Sequence, residues 1–237
     1  MQFKVTPYVG PRYWVAISIA SMCGTNVGDI IPDVLRMNAD AGLIMLTIMF
    51  TVVVLAERAT RNGGEAFYWV ALLIVRAAAT NIADYFIGHE QFSYIEVSAT
   101  LALILIGLIA LHRGSTRKPK CSALPPAGSL YWFTMLIAGS LGTVVADGIA
   151  HSFGSARIGV PLSAAMATTA LLLILSVRAR ATWVGATSYW TAIVAVRWWG
   201  TNAGDILAFL LSLLFSAAIT GLALTILLLI RRPRRLA

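Results

Sequence analysis

Charge is what this sequence has least of. Asp, Glu, Lys and Arg together make up 12% of its 237 residues, against about 25% in a soluble domain. A surface so poor in charge excludes a water-soluble globular protein. Cysteine is nearly absent too. Cys23 lies in an apolar run and Cys121 in a polar stretch, which gives neither a disulfide framework nor a metal-ligand spacing; Cys23 reads as a small packing residue. There are three histidines and no H-E-x-x-H or C-x-x-C, so no recognised zinc motif is present. No Gly-rich phosphate loop or catalytic nucleophile accompanies the acids described below, which argues against an enzyme. The first residues, Met1 to Tyr13, lack the basic start, short apolar core and small-residue cleavage site of a signal peptide, so the first apolar run is expected to stay in the mature protein.

What is abundant is apolar sequence. Hydrophobic residues reach 59% and the mean hydropathy is +0.81, which predicts an integral protein of the lipid bilayer. The net charge of +8 does not point to nucleic acid, because the basic residues stand at the ends of apolar runs. Lys4, Arg12, Arg58, Arg61, Arg113, Arg117, Lys118, Lys120, Arg178, Arg180, Arg231, Arg232, Arg234 and Arg235 fall on the side of the termini. Only Arg36 and Arg157 fall on the other side. The positive-inside rule then makes both termini cytoplasmic.

The chain repeats itself. Tyr-Trp occurs at Tyr13-Trp14, Tyr68-Trp69, Tyr131-Trp132 and Tyr189-Trp190, and fifteen residues after each Trp stands Asp29, Asp84, Asp147 or Asp205. The residues leading to each Asp align as GTNVGD, ATNIAD, GTVVAD and GTNAGD. Such recurrence at one spacing marks a tandem architecture. Each copy reads as two spans: a first helix (A) from near Tyr-Trp to just past the Asp, and a second, purer apolar helix (B) over 42–56, 95–111, 158–177 and about 211–230. The predicted fold is an all-α integral membrane protein, a single domain over 1–237. It has eight transmembrane helices from four parallel two-helix repeats, approximately 12–58, 67–113, 130–178 and 188–231. An even number of spans per copy gives every copy one orientation, and so pseudo-symmetry about the membrane normal.

At 1.5 Å per residue each Asp lies ~22 Å along its helix from its Trp. The Tyr-Trp pairs are therefore expected at the cytoplasmic interface as an aromatic belt, too far from the aspartates to join them in a cage. The aspartates are expected at one depth toward the outer part of the core. Thr25, Thr80, Thr143 and Thr201 precede them by four residues, on the same helix face. Asn26, Asn81 and Asn202 follow the threonines, with Val144 in the third copy. Small residues one and five positions before Asp allow close helix approach. A charge facing lipid costs at least ~2.5–3.5 kcal/mol at a helix centre, so the A helices are expected to line the centre and the B helices to face lipid. Arg76 and Arg197 stand eight residues before Asp84 and Asp205, where the other copies have Ser21 and Gly139. They are candidate charge partners for the aspartates, leaving Asp29 and Asp147 freer to hold a cation. Asp33 and His151, four residues after Asp29 and Asp147, are weaker candidates for a metal ligand pair.

The pattern resembles a family of bacterial membrane proteins built from four tandem two-span repeats of unknown function, each with a tryptophan. The likeness covers about Tyr13 to Ile230 and is most specific in VRWWGTNAGD (196–205), similar to the family's Arg-x-x-Gly-x-x-x-Gly-Asp through Arg197, Gly200, Gly204 and Asp205. VRAAATNIAD (75–84) matches more loosely, through Arg76 and Asp84. Where members often carry a glutamate after the glycine of early copies, this chain has Thr25 and Thr80. The resemblance implies a bacterial inner-membrane location and this topology, but no activity.

Two readings follow. Intramembrane carboxylates usually mark ion pathways or relays, and four gathered together call for a cation or for protons. That predicts a transporter or channel for a small cation or a proton-coupled solute, needing no cofactor beyond a bound cation. Alternatively the polar residues are interhelical glue in a structural or accessory membrane protein. Four internal copies allow either a monomer or a homodimer.

Overall fold

The computed structural model describes residues 3–61, 64–90, 92–115, 125–180 and 186–230. Cys121 and the basic residues 117, 118, 120, 231, 232, 234 and 235 lie outside the described residues. The described residues form eight α-helices: α1 (Pro11–Asp33), α2 (Ala39–Ala59), α3 (Glu65–Asp84), α4 (Tyr94–Ser115), α5 (Ser129–Ser152), α6 (Ala156–Arg180), α7 (Ala186–Leu211) and α8 (Leu213–Leu229). A π-helical turn, Tyr85–His89, extends α3, and no strand occurs among the described residues. The odd-numbered helices are the A helices, the even-numbered ones the B helices.

Each A helix packs on its neighbours in a closed cycle, α1 on α3, α3 on α5, α5 on α7 and α7 on α1. The B helices lie outside this ring, each on the A helix of the next copy: α2 on α3, α4 on α5, α6 on α7, and α8 back on α1. Burial follows composition. The apolar stretches of α1, α3 and α5 are 56–61% buried, those of α2, α4 and α6 only 17–22%, so the helices carrying Asp and Thr are indeed the inner ones. Exposed Ile44, Ile48, Leu103, Ile106, Leu172 and Leu173 give the outer helices an apolar face that water cannot solvate favourably.

Six of these helices, α1 to α6, are long and apolar enough to cross a membrane, which fits a membrane protein. The last copy departs from the pattern of the other three. In α7 the polar residues of the inner face lower the hydropathy. In α8 the 17 residues span ~25 Å, short of a ~30 Å hydrocarbon core. Only Ser212 separates α7 from α8, at φ 82°, a left-handed conformation that favours glycine. The polar A-to-B linker of the other copies is thus reduced here to one residue.

Small residues let the A helices touch. A β-carbon on Gly24 would stand 2.6 Å from Arg76 Cγ, and one on Gly139 would stand 2.7 Å from Ala79 Cβ. Gly142 meets Arg197, and Gly200 meets Ser21, more closely still. The rule is one contact repeated around the ring: the small residue five before Asp faces the residue eight before Asp on the next A helix. Where the first is alanine, at Ala79, the second is glycine, at Gly139. Each seam thus has a glycine on one side or the other.

Basic residues close the helix ends at one pole. Lys4 Nζ donates to the carbonyls of Glu57 (3.2 Å), Arg58 (3.0 Å) and Thr60 (2.8 Å) at the end of α2. Arg12 Nη2 donates to those of Leu227 (2.7 Å) and Leu228 (2.9 Å) at the end of α8. Cations suit these carbonyl ends.

Candidate functional site

The ring of A helices stacks polar side chains in layers. At the pole of the chain's first residues, Tyr13, Tyr68, Tyr131 and Tyr189 point their hydroxyls at one another. The closed cycle runs Tyr13 to Tyr68 (3.2 Å), Tyr68 to Tyr131 (2.7 Å), Tyr131 to Tyr189 (3.0 Å) and Tyr189 to Tyr13 (2.6 Å). All four are buried. Each phenol packs on the tryptophan of an adjacent A helix: Tyr13 on Trp69 (5.9 Å between centroids), Tyr68 on Trp132 (5.5 Å), Tyr131 on Trp190 (5.5 Å) and Tyr189 on Trp14 (6.0 Å). This corrects the expectation of an interfacial belt. Trp69, Trp132 and Trp190 are buried as well, so these indoles pack inside the bundle instead of facing outward.

The next layers belong to the arginines. Arg76 is buried at the centre of the threonine layer, and its five N–H groups meet five hydroxyls. Nε donates to Ser21 (3.3 Å), Nη1 to Thr80 (2.7 Å) and Thr143 (3.0 Å), Nη2 to Thr25 (2.5 Å) and Thr201 (2.7 Å). Each threonine spends its own proton on the carbonyl four residues back, at 2.9 Å for Thr25, 3.4 Å for Thr80, 3.3 Å for Thr143 and 3.0 Å for Thr201. That leaves lone pairs for the guanidinium. Arg197, at the same helix position, is equally buried but has one contact, Nη2 to Met135 Sδ at 3.2 Å; its Nε and Nη1 have no partner. Met135 lies one turn from Tyr131, so Arg197 leans toward the tyrosine layer. One axis cannot hold two guanidiniums at one level.

The aspartates form the outermost layer, one turn beyond the threonines. Each carboxylate lies within electrostatic reach of the other three, so the structure gathers them as the repeat predicts. They are less buried than expected. Asp29, Asp147 and Asp205 are half-buried and Asp84 is exposed, because α3 gives way to its π-helical turn directly after Asp84. No hydrogen bond or ion pair reaches any of the four carboxylates among the described residues. No ion pair joins Arg76 or Arg197 to an aspartate among the described residues; the Arg76 guanidinium stays in the threonine layer, one helical turn below, within electrostatic reach of all four carboxylates.

The asparagines and His151 separate from this centre. Asn81 Nδ2 donates to the carbonyls of Gly28 and Ala77, both at 3.0 Å, and Asn202 Nδ2 to that of Trp198 at 3.0 Å. Asn26 Nδ2 donates to Ser216 on α8. Asn26 and Asn81 tie neighbouring helices and Asn202 bonds within α7, so none of the three joins the carboxylates. His151 is exposed, its Nδ1 2.8 Å from the carbonyl of Asp147 and 3.3 Å from the hydroxyl of Tyr94; Asp33 is exposed at the end of α1. No group of three or more His, Cys, Asp or Glu arranged to hold a metal occurs among the described residues.

A cavity of about 680 Å³ opens beside Asp147 and Asp205, walled by α5, α6 and α7. No protein-family model, curated protein or solved structure matches the chain. The site therefore rests on its own chemistry: four accessible carboxylates above a saturated guanidinium, a second guanidinium largely without partners, and a ring of phenols.

Two features escaped the sequence reading. The hydroxyl of Ser21 completes the set around Arg76; the tally of one Ser and four Thr against five guanidinium donors was the available signal. The tyrosine ring shares the repeat's spacing, but aromatic residues beside tryptophan at a span end read first as a belt.

Proposed function

We propose that this chain is an integral membrane transporter for a small cation or a proton-coupled solute, with its pathway along the axis of the four A helices. It belongs, in this reading, to the bacterial inner membrane, with four parallel two-span repeats and both termini cytoplasmic. The observation that carries the proposal is the layer of four unpaired, accessible carboxylates at one end of a polar column through an apolar bundle. Unpaired carboxylates at that position attract cations and accept protons, and intramembrane acids of this kind are commonly parts of ion paths.

The layers beneath favour a gated transporter over an open channel. Arg76 fills the place a cation would take among the threonines. A monovalent cation ~5 Å from a guanidinium meets a repulsion of ~3 kcal/mol at an effective dielectric constant of ~20. Passage requires Arg76 to leave its hydroxyls and the phenol ring to open. Protonation of one or more aspartates would supply coupling.

The saturation of Arg76 favours a second reading, a structural or accessory protein whose polar layers set helix register. Interhelical hydrogen bonds in membranes average about 0.6 kcal/mol, and five on one side chain make a plausible pin. Flux in proteoliposomes separates the two. Asp205→Asn should abolish cation-dependent or proton-coupled flux while the variant purifies as one stable species. Unchanged flux, or loss of folding with no separable flux defect across all four Asp→Asn variants, contradicts transport.

A further inference from the structure

We infer that the cavity between α5, α6 and α7 binds a small organic cation, an alkyl- or arylammonium, with its charge at Asp147 and Asp205 and its apolar body along the wall. The inference rests on the transport reading and narrows its substrate class. About 680 Å³ lies within the ~300–1,000 Å³ typical of small-molecule sites; an inorganic cation needs no such volume. The lining divides by chemistry. Asp147 and Asp205 supply two carboxylates from neighbouring A helices, while Val160, Ile206 and Phe209 supply aliphatic and aromatic surface.

Neither carboxylate has a hydrogen-bond or ion-pair partner among the described residues, and the Arg76 guanidinium acts on both only through space, so both sets of carboxylate oxygens are free to take a direct contact. Phe209 is 75% exposed, so its face is free to meet an ammonium or an aryl group. His151 also lines the cavity, but its Nδ1 is engaged with the Asp147 carbonyl and the Tyr94 hydroxyl. Arg157 is the one basic lining residue; it is exposed, so solvent screens it. Asp147 and Asp205 are the acidic residues of the lining, and a cation with N–H donors is the ligand their unpartnered oxygens can hold directly.

Phenethylammonium is the probe, with phenethyl alcohol as its uncharged counterpart and potassium as a bare cation, titrated into the full-length protein in detergent by calorimetry. The expected result is saturable binding of phenethylammonium, at least about ten-fold tighter than either control, because only it uses both halves of the site. Asp147→Asn with Asp205→Asn should weaken it about ten-fold or more, as loss of a charge-assisted contact does. Phe209→Ala, on an exposed side chain that folding does not require, should weaken it several-fold. Equal binding of the alcohol, equal binding of potassium, or indifference to all three substitutions overturns the inference.

The ammonium could come from a free solute or from a lipid headgroup. Undiminished binding in phosphatidylethanolamine nanodiscs assigns the site to a solute. Competition there, absent in phosphatidylglycerol nanodiscs, assigns it to the lipid amine; both outcomes support the ammonium chemistry. Binding without flux keeps the site and removes the transport reading. Potassium or proton flux that phenethylammonium neither shares nor inhibits, with no binding measured, removes the site and keeps transport.

Discussion

Removing the guanidinium of Arg76 orphans the acceptor side of five hydroxyls, whereas removing that of Arg197 breaks one contact to a sulfur. Arg76→Met should therefore destabilise by about 2–4 kcal/mol, combining lost charge-assisted bonds with imperfect packing. Arg197→Met should fall within about 1 kcal/mol of wild type or above it, since replacing a poorly paired buried charge with an apolar side chain relieves desolvation. Arg76→Lys should not restore the first, because an ammonium has three donors against five. Melting in detergent micelles, followed by tryptophan fluorescence, measures all three; equal losses for the two methionine variants would contradict this account. The difference between these arginines was not legible in the sequence. Both stand eight residues before an aspartate, and only the three-dimensional fact of a shared axis forces them to different levels.

The helices themselves were nearly all readable. Apolar runs bounded by Asp, Asn, Gly and Arg gave the B helices to within a few residues, and the small residues near each Asp indicated the close seams. What periodicity hid is the tyrosine layer. Tyr stands sixteen residues before Asp, about 160° away on a straight helix, so a helical wheel separates two layers that helix wrapping and the reach of the phenol bring to one axis. The α7–α8 junction was equally opaque, because its residues are apolar and Ser212 carries no turn signal. Ser212→Gly should stabilise by about 1 kcal/mol by relieving its left-handed backbone. Gly142→Ala should destabilise by about 1–3 kcal/mol, since a methyl there collides with Arg197 and with Trp198 N at 2.9 Å. Melting curves of the two variants test both signs; a stabilising alanine at 142 would contradict the seam.

For the molecule as a whole, four copies of one contact rule close a ring within a single chain, with α8 returning to α1. The repeat spacing predicts one layer of aspartates, and the four lie within electrostatic reach of one another. Their accessibility was not predicted, because where an A helix ends relative to its Asp depends on local turns such as the one after Asp84. The central claim is a column open at the aspartates and closed at the threonines and tyrosines. Cysteine accessibility in intact cells tests it most directly, in a background with Cys23 and Cys121 replaced by serine. A membrane-impermeant thiol reagent added outside should label cysteines placed at 29, 84, 147 and 205, and leave cysteines at 201 and 189 unlabelled. Labelling of 201 or 189 at the same rate, or labelling of the Asp positions only from the cytoplasmic side, would contradict it.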